Sequence, residues 1–137
     1  MIEQDPITVL CVDDSPQMAR LLEKIINREP GMRSLGTLFS ADDLVDRVKE
    51  LSPRVVLLDL SMPGRDPMQA LREIRDCAPD TRVLVVTGHS DPQIAQDALA
   101  HGAAAFVVKG CGMDPLLDAI RKAAGSDLDP QPRPACT

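Results

Sequence analysis

Tryptophan and tyrosine are absent from this 137-residue chain, and phenylalanine occurs only twice. A platform for single-stranded nucleic acid stacks bases on aromatic rings, so their shortage argues against that function. The net charge of −6 argues in the same direction, because duplex backbones are held by excess Lys and Arg. No direct nucleic-acid binding is expected of this segment. Long hydrophobic runs are missing too. A membrane-spanning helix needs about 20 apolar residues, and the longest runs here are VVLL and AAAFVV. No membrane association is expected. The opening MIEQDPITVLCVDD has neither the basic stretch nor the apolar core of a secretory signal. Cys11, Cys77, Cys111 and Cys136 lack CxxC spacing and neighbouring histidines. They read as free thiols of a cytoplasmic chain, with Cys11 a small core residue inside a strand.

What the chain does have is a rhythm of short aliphatic runs alternating with amphipathic stretches. ITVLCVD (7–13), RSLGTLF (33–39), RVVLLD (54–59), TRVLVVTG (81–88) and AAAFVVK (103–109) read as strands. SPQMARLLEKIINRE predicts a helix capped by Ser15, with Pro16 at its first position and Met18, Leu21, Leu22, Ile25 and Ile26 on one face. SADDLVDRVKEL opens on an S-x-x-D capping pattern that places a helix start at Ser40. DPMQALREIRDC, SDPQIAQDALAHG (closed by Gly102) and MDPLLDAIRKAA supply three more helices. Five strand–helix units predict an α/β fold, a doubly wound parallel (βα)5 sheet in one domain over 1–124. Residues 125–137, GSDLDPQPRPACT, read as a proline-rich linker or tail.

Ligands of an open parallel sheet gather outside the carboxyl ends of the strands. Those ends carry Asp13-Asp14, Asp59, Thr87 and Lys109, each directly after aliphatics. Carboxylates ~4 Å apart repel by about 4 kcal/mol at an effective dielectric of 20. A divalent cation removes that conflict. Oxygen ligands alone suit Mg2+, whereas zinc wants His or Cys, which these ends lack. One aspartate beside such a metal can attack a phosphoryl group and become an aspartyl-phosphate. Lys109 and the Thr87 hydroxyl then have phosphoryl oxygens to neutralise and hold.

In these pieces, VDD at 12–14, LLDLSMPG at 57–64, VVTG at 85–88 and GAAAFVVK at 102–109, the chain resembles the receiver domains of bacterial two-component response regulators. The resemblance covers roughly residues 6–124. EPGM, LREIR, PDTRVLVVT and LLDAIRKAAG are most similar to the NarL/FixJ group. It implies the CheY-like, flavodoxin-like form of the fold and a phosphoacceptor at Asp59. It implies Mg2+ on Asp13, Asp14, Asp59 and the Ser61 carbonyl, and catalytic assistance from Thr87 and Lys109. Thr87 and Phe106 fall at switch positions, while Ser61 and His89 flank the site where the phosphate lifetime is tuned. A histidine kinase or phosphotransfer protein is the implied donor, and a homodimer is left open. The group's usual output, a LuxR-type helix-turn-helix controlling transcription, is not in this chain.

Two positions depart from the pattern. Gly110 follows Lys109 where the family usually has a cis proline, and Pro67 stands where a glycine is common. A rival expectation is therefore a degenerate receiver acting as a phosphorylation-independent scaffold. A flavin carrier fits poorly, because Asp-Asp after the first strand repels phosphate. A haloacid-dehalogenase-type phosphatase would need a D-x-D nucleophile at that place. The domain is expected to catalyse only its own phosphorylation and dephosphorylation.

Overall fold

The computed structural model describes residues 6–60, 66–88, 92–109 and 112–125. In chain order the elements are β1 (Ile7–Val12), α1 (Pro16–Arg28), β2 (Met32–Leu38), α2 (Leu44–Leu51), β3 (Val55–Asp59), α3 (Pro67–Cys77), β4 (Arg82–Thr87), α4 (Pro92–Ala100), β5 (Ala105–Val108) and α5 (Met113–Gly125). The strands form one parallel sheet in the order β2-β1-β3-β4-β5. The order reverses between β1 and β3, so a crevice opens above their carboxyl ends.

Continuous aliphatic strands are what a sheet covered on both faces requires, and side-chain alternation divides the core in two. Val9, Cys11, Val55, Leu57, Leu84, Val86 and Val107 belong to a cluster with Leu22 and Ile26 of α1 and Leu116 and Ile120 of α5. Leu10, Val12, Val56, Leu58, Val83, Val85 and Phe106 belong to the other, with Leu44 and Val48 of α2, Leu71 and Ile74 of α3 and Ala98 of α4. Each such buried Val, Leu, Ile or Phe side chain contributes about 1.5–3 kcal/mol over leaving it in water. Cys11 lies in the first cluster. Burial, then Glu23 and Asp13, push its thiol up to about 12, so it stays protonated and inert.

The expected caps mostly form. Ser15 Oγ accepts from Met18 N at 3.3 Å, and Asp66 Oδ1 accepts from Met68 N at 3.0 Å, with Pro67 the first residue of α3. The second helix differs: it starts at Leu44, not Ser40. Ser40 Oγ instead accepts from Asp42 N at 3.3 Å, one of the local side-chain bonds by which Ser and Asp compete with a helix. β5 is shorter than 103–109, because Ala103 N is drawn back to Ala98 O (3.0 Å) to close α4.

That closure runs through Gly102, whose φ of +110° suits glycine. A Cβ there would also stand 2.7 Å from Arg75 Cδ of α3. Gly102→Ala is therefore expected to destabilise the domain by about 1–2 kcal/mol. The measurement is a urea melt, in which the midpoint falls and the slope stays unchanged. An unchanged midpoint would show that the loop and Arg75 absorb the methyl group freely.

Candidate functional site

The alternation that builds the core also aims the polar strand ends. Asp59 closes β3 in the parity of Val55 and Leu57, and Asp13, one residue past β1, continues that of Val9 and Cys11. Lys109, one residue past β5, continues the parity of Val107. Three charged groups from three strands thus share one side of the crevice. Thr87, the last residue of β4, follows Val83 and Val85 in the opposite parity and is 2% exposed.

Asp13, Asp14 and Asp59 each place a carboxylate oxygen within 4.8 Å of the other two. The Asp13 and Asp59 side chains are buried, whereas Asp14 is exposed. Lys109 Nζ donates to Asp13 Oδ2 at 2.9 Å and to Asp59 Oδ2 at 3.1 Å. Asp13 Oδ1 accepts from Ser15 N at 2.9 Å, which ties the carboxylate to the start of α1. Ladder bonds carry past the strands: Asp13 N donates to Leu38 O at 2.9 Å and Lys109 N to Thr87 O at 2.6 Å. Backbone and ion pairs together fix the cluster. Burial acts to lower the pKa of Lys109, but its hydrogen bonds to Asp13 and Asp59 outweigh that and hold it above the ordinary lysine value.

Three carboxylates against one ammonium leave the crevice formally negative. The donors are oxygens only, one exposed and two buried, which suits a hard cation that keeps part of its water shell. Asp13, Asp14 and Asp59 therefore fit Mg2+ by donor chemistry. No buried side-chain nitrogen or oxygen among the described residues lacks a hydrogen-bond partner.

Phe106 is 2% exposed inside the cluster that also holds Val83, Val85, Ala98 and Ala103. Ser61, His89 and Gly110 lie outside the described residues. Two features were not foreseen from the sequence: the Ser15 N–H on Asp13, and the sharing of Lys109 between both buried carboxylates. The first had a signal in the tripeptide Asp13-Asp14-Ser15, an Asx turn opening a helix. No helix among the described residues is long and apolar enough to cross a membrane.

The sequence model of the response regulator receiver domain matches residues 9–121. The chain is 27% identical over 128 residues to the nitrate/nitrite response regulator protein NarL of Escherichia coli K12, covering 93% of this chain and 59% of that protein. It spans about three fifths or less of the length of the curated relatives it matches first. Among solved structures, the signal receiver domain of NarL from Mycobacterium tuberculosis superposes with a TM-score of 0.84 at 27% identity, over 90% of this chain and 99% of that one. The CheX–CheY–BeF3–Mg2+ complex from Borrelia burgdorferi gives 0.79 at 28% identity, over 86% and 89%.

Proposed function

This chain belongs to the response-regulator receiver domain family, and from that premise we propose that it accepts a phosphoryl group on Asp59 in a Mg2+-dependent reaction. The observation that carries the reading is the cluster itself: a buried Asp59 at a strand end, two more carboxylates within 4.8 Å, and an ammonium 3.1 Å away. A carboxylate oxygen of Asp59 attacks phosphorus, a P–O bond forms, and the bond to the donor breaks as its leaving group departs. The donor is a histidine kinase or phosphotransfer protein in the cytoplasm, with the bond broken there a P–N bond. Mg2+ would be held by Asp13, Asp14 and Asp59, with the Ser61 carbonyl proposed as a further ligand, and would supply positive charge to the phosphoryl oxygens.

The chain's own residues do the rest. Lys109 exchanges its bond to Asp59 for one to a phosphoryl oxygen, keeping Asp13 as its second partner. Thr87 offers a hydroxyl to another oxygen, and Phe106 beneath α4 registers that movement. Ser61 and His89 are assigned, by family resemblance, the tuning of how long the phosphate survives. The readout is a changed surface around 91–109, passed to a homodimer partner or to an output segment, of the LuxR type if the similarity to NarL extends that far. A similar structure is a complex with BeF3 and Mg2+, which supports the metal and the phosphoryl site together.

The test is incubation of the purified protein with acetyl phosphate followed by intact-mass measurement. One added phosphoryl group is expected with Mg2+ and none with EDTA. No gain under either condition would overturn phosphoacceptance and leave the scaffold reading.

A further inference from the structure

Lys109 Nζ lies 3.1 Å from Asp59 Oδ2, so the carbon of that carboxylate is close to the amine as well. A C–O bond of about 1.2 Å puts Asp59 Cγ no more than about 4.3 Å from the nitrogen. Neutralising charge is one task for this amine. While Asp59 is a free carboxylate it is the only one, because a carboxylate carries no leaving group. Phosphorylation changes that. An aspartyl-phosphate is a mixed anhydride, and its carbonyl carbon is open to a lysine amine, with phosphate as the group displaced.

Intramolecular partners at near-attack separations of ~3–3.5 Å reach effective molarities of about 10⁵–10⁸ M. Lys109 starts within an ångström or so of that range. Asp13 Oδ2 holds its Nζ at 2.9 Å, which keeps the amine over the crevice when the bond to Asp59 is given up. A quarter of the side chain is exposed, so the stem has room to shift. A hydrogen bond to a carboxylate lies near the carboxyl plane, whereas attack on carbon comes from above it. Moving that bond to a phosphoryl oxygen releases Nζ from the plane. Burial works against the charge, yet the bonds to Asp13 and Asp59 keep Lys109 an ammonium, so the attack is slow beside phosphorylation. Cys11 stays protonated and does not compete.

We propose that Lys109 consumes part of the Asp59 aspartyl-phosphate by forming an isopeptide bond with it, a reaction that rests on phosphoryl uptake at Asp59. The Nζ–Cγ bond forms, and the bond from Cγ to the phosphate-bearing oxygen breaks, its electron pair leaving with phosphate. The ammonium loses two protons. One goes to the departing phosphate, which leaves as hydrogen phosphate, and the other to Asp13 Oδ2 and then to water. The product is lighter than the starting chain by one water. It ties the end of β3 to the residue after β5, across β4, and removes both side chains from further cycles.

The experiment is a day-long incubation of the purified full chain with acetyl phosphate and Mg2+, sampled by intact mass and by tryptic mapping. A species one water lighter than the parent is expected to grow as the phosphorylated one decays. Its map should show Asp59 joined to Lys109 and no cleavage after Lys109. A succinimide closed by the Leu60 amide has the same mass, so each sample is also treated with hydroxylamine, which opens a succinimide and spares an isopeptide. Lys109→Arg keeps the charge and should lack the cross-link, and if that variant does not fold the parent's map decides alone. A phosphorylated parent that never yields the cross-linked peptide overturns the proposal and leaves phosphoacceptance standing. No phosphorylated species at any time removes both. A lighter species that hydroxylamine opens, or that Lys109→Arg also forms, overturns the proposal too.

Discussion

Asp59→Asn abolishes phosphoryl uptake and, in the absence of metal, yields a more stable protein than the parent. The first effect is all-or-none, since an amide offers no anionic oxygen to attack phosphorus. The second follows from the charges. Asp59 is buried, repelled by Asp13 and Asp14 within 4.8 Å and attracted to Lys109 at 3.1 Å. Each contact at ~4 Å is worth about 4 kcal/mol at a dielectric of 20. The two repulsions and the desolvation of a buried anion oppose the attraction to Lys109, and asparagine removes all three. Asparagine keeps an oxygen for Lys109, so the net gain is about 1 kcal/mol, or about 3–5 °C in melting temperature for a chain of this size.

Magnesium reverses the comparison. A ligand at ten times its dissociation constant stabilises by about 1.4 kcal/mol, and the variant has lost one of the three carboxylates that hold it. Thermal melts in EDTA and in Mg2+, with intact mass after acetyl phosphate, check all three statements. A variant that labels like the parent removes Asp59 from the reaction. One less stable in EDTA shows that Lys109 compensates the cluster fully.

Most of this site was legible because two simple periodicities made it so. Parallel strands buried on both faces leave aliphatic runs, and each run here stops at a polar residue: Val12 before Asp13, Leu58 before Asp59, Val86 before Thr87, Val108 before Lys109. Counting in twos from Val55 or Val107 already places Asp59 and Lys109 on one side. The pairing of Lys109 with both Asp13 and Asp59 was not legible. It depends on strand order, which brings β1 beside β3, and on the length of the lysine stem reaching in from β5 across β4.

The misplaced start of α2 has the same kind of cause. Ser40-Ala41-Asp42-Asp43 satisfies the local capping pattern, yet the serine hydroxyl finds a nearer amide at Asp42. Local bonds of similar strength decide such ends, and sequence spacing does not rank them. The bond from Arg54 Nη2 to Ala124 O was invisible for a further reason. Arg54 and Ala124 are 70 residues apart, and only the packed fold brings a guanidinium onto the last helix.

Lys109→Met separates a structural lysine from a catalytic one, because the two roles move different observables in opposite directions. Methionine keeps the stem and removes the charge, leaving Asp13 and Asp59 buried without their shared cation. Breaking a fully buried pair costs about 3–5 kcal/mol. Lys109 keeps a quarter of its side chain in solvent, so screening reduces the expected loss to about 2 kcal/mol in EDTA. The pH dependence has a definite sign. The folded protein holds Lys109 above the ordinary lysine value, so its contribution is complete at neutral pH and is lost as the pH climbs through that raised value. The variant should lack this alkaline limb while matching the parent's shape below it. With the ammonium gone, the three carboxylates bind Mg2+ more tightly, yet phosphoryl transfer slows by about 100-fold, as when one preorganised donor to a developing anion is removed. Metal titration and phosphorylation kinetics read the two effects separately. Tighter metal with slower transfer assigns Lys109 to the phosphoryl group itself. Loss of stability with an unchanged transfer rate would reduce it to a clamp on the acidic cluster.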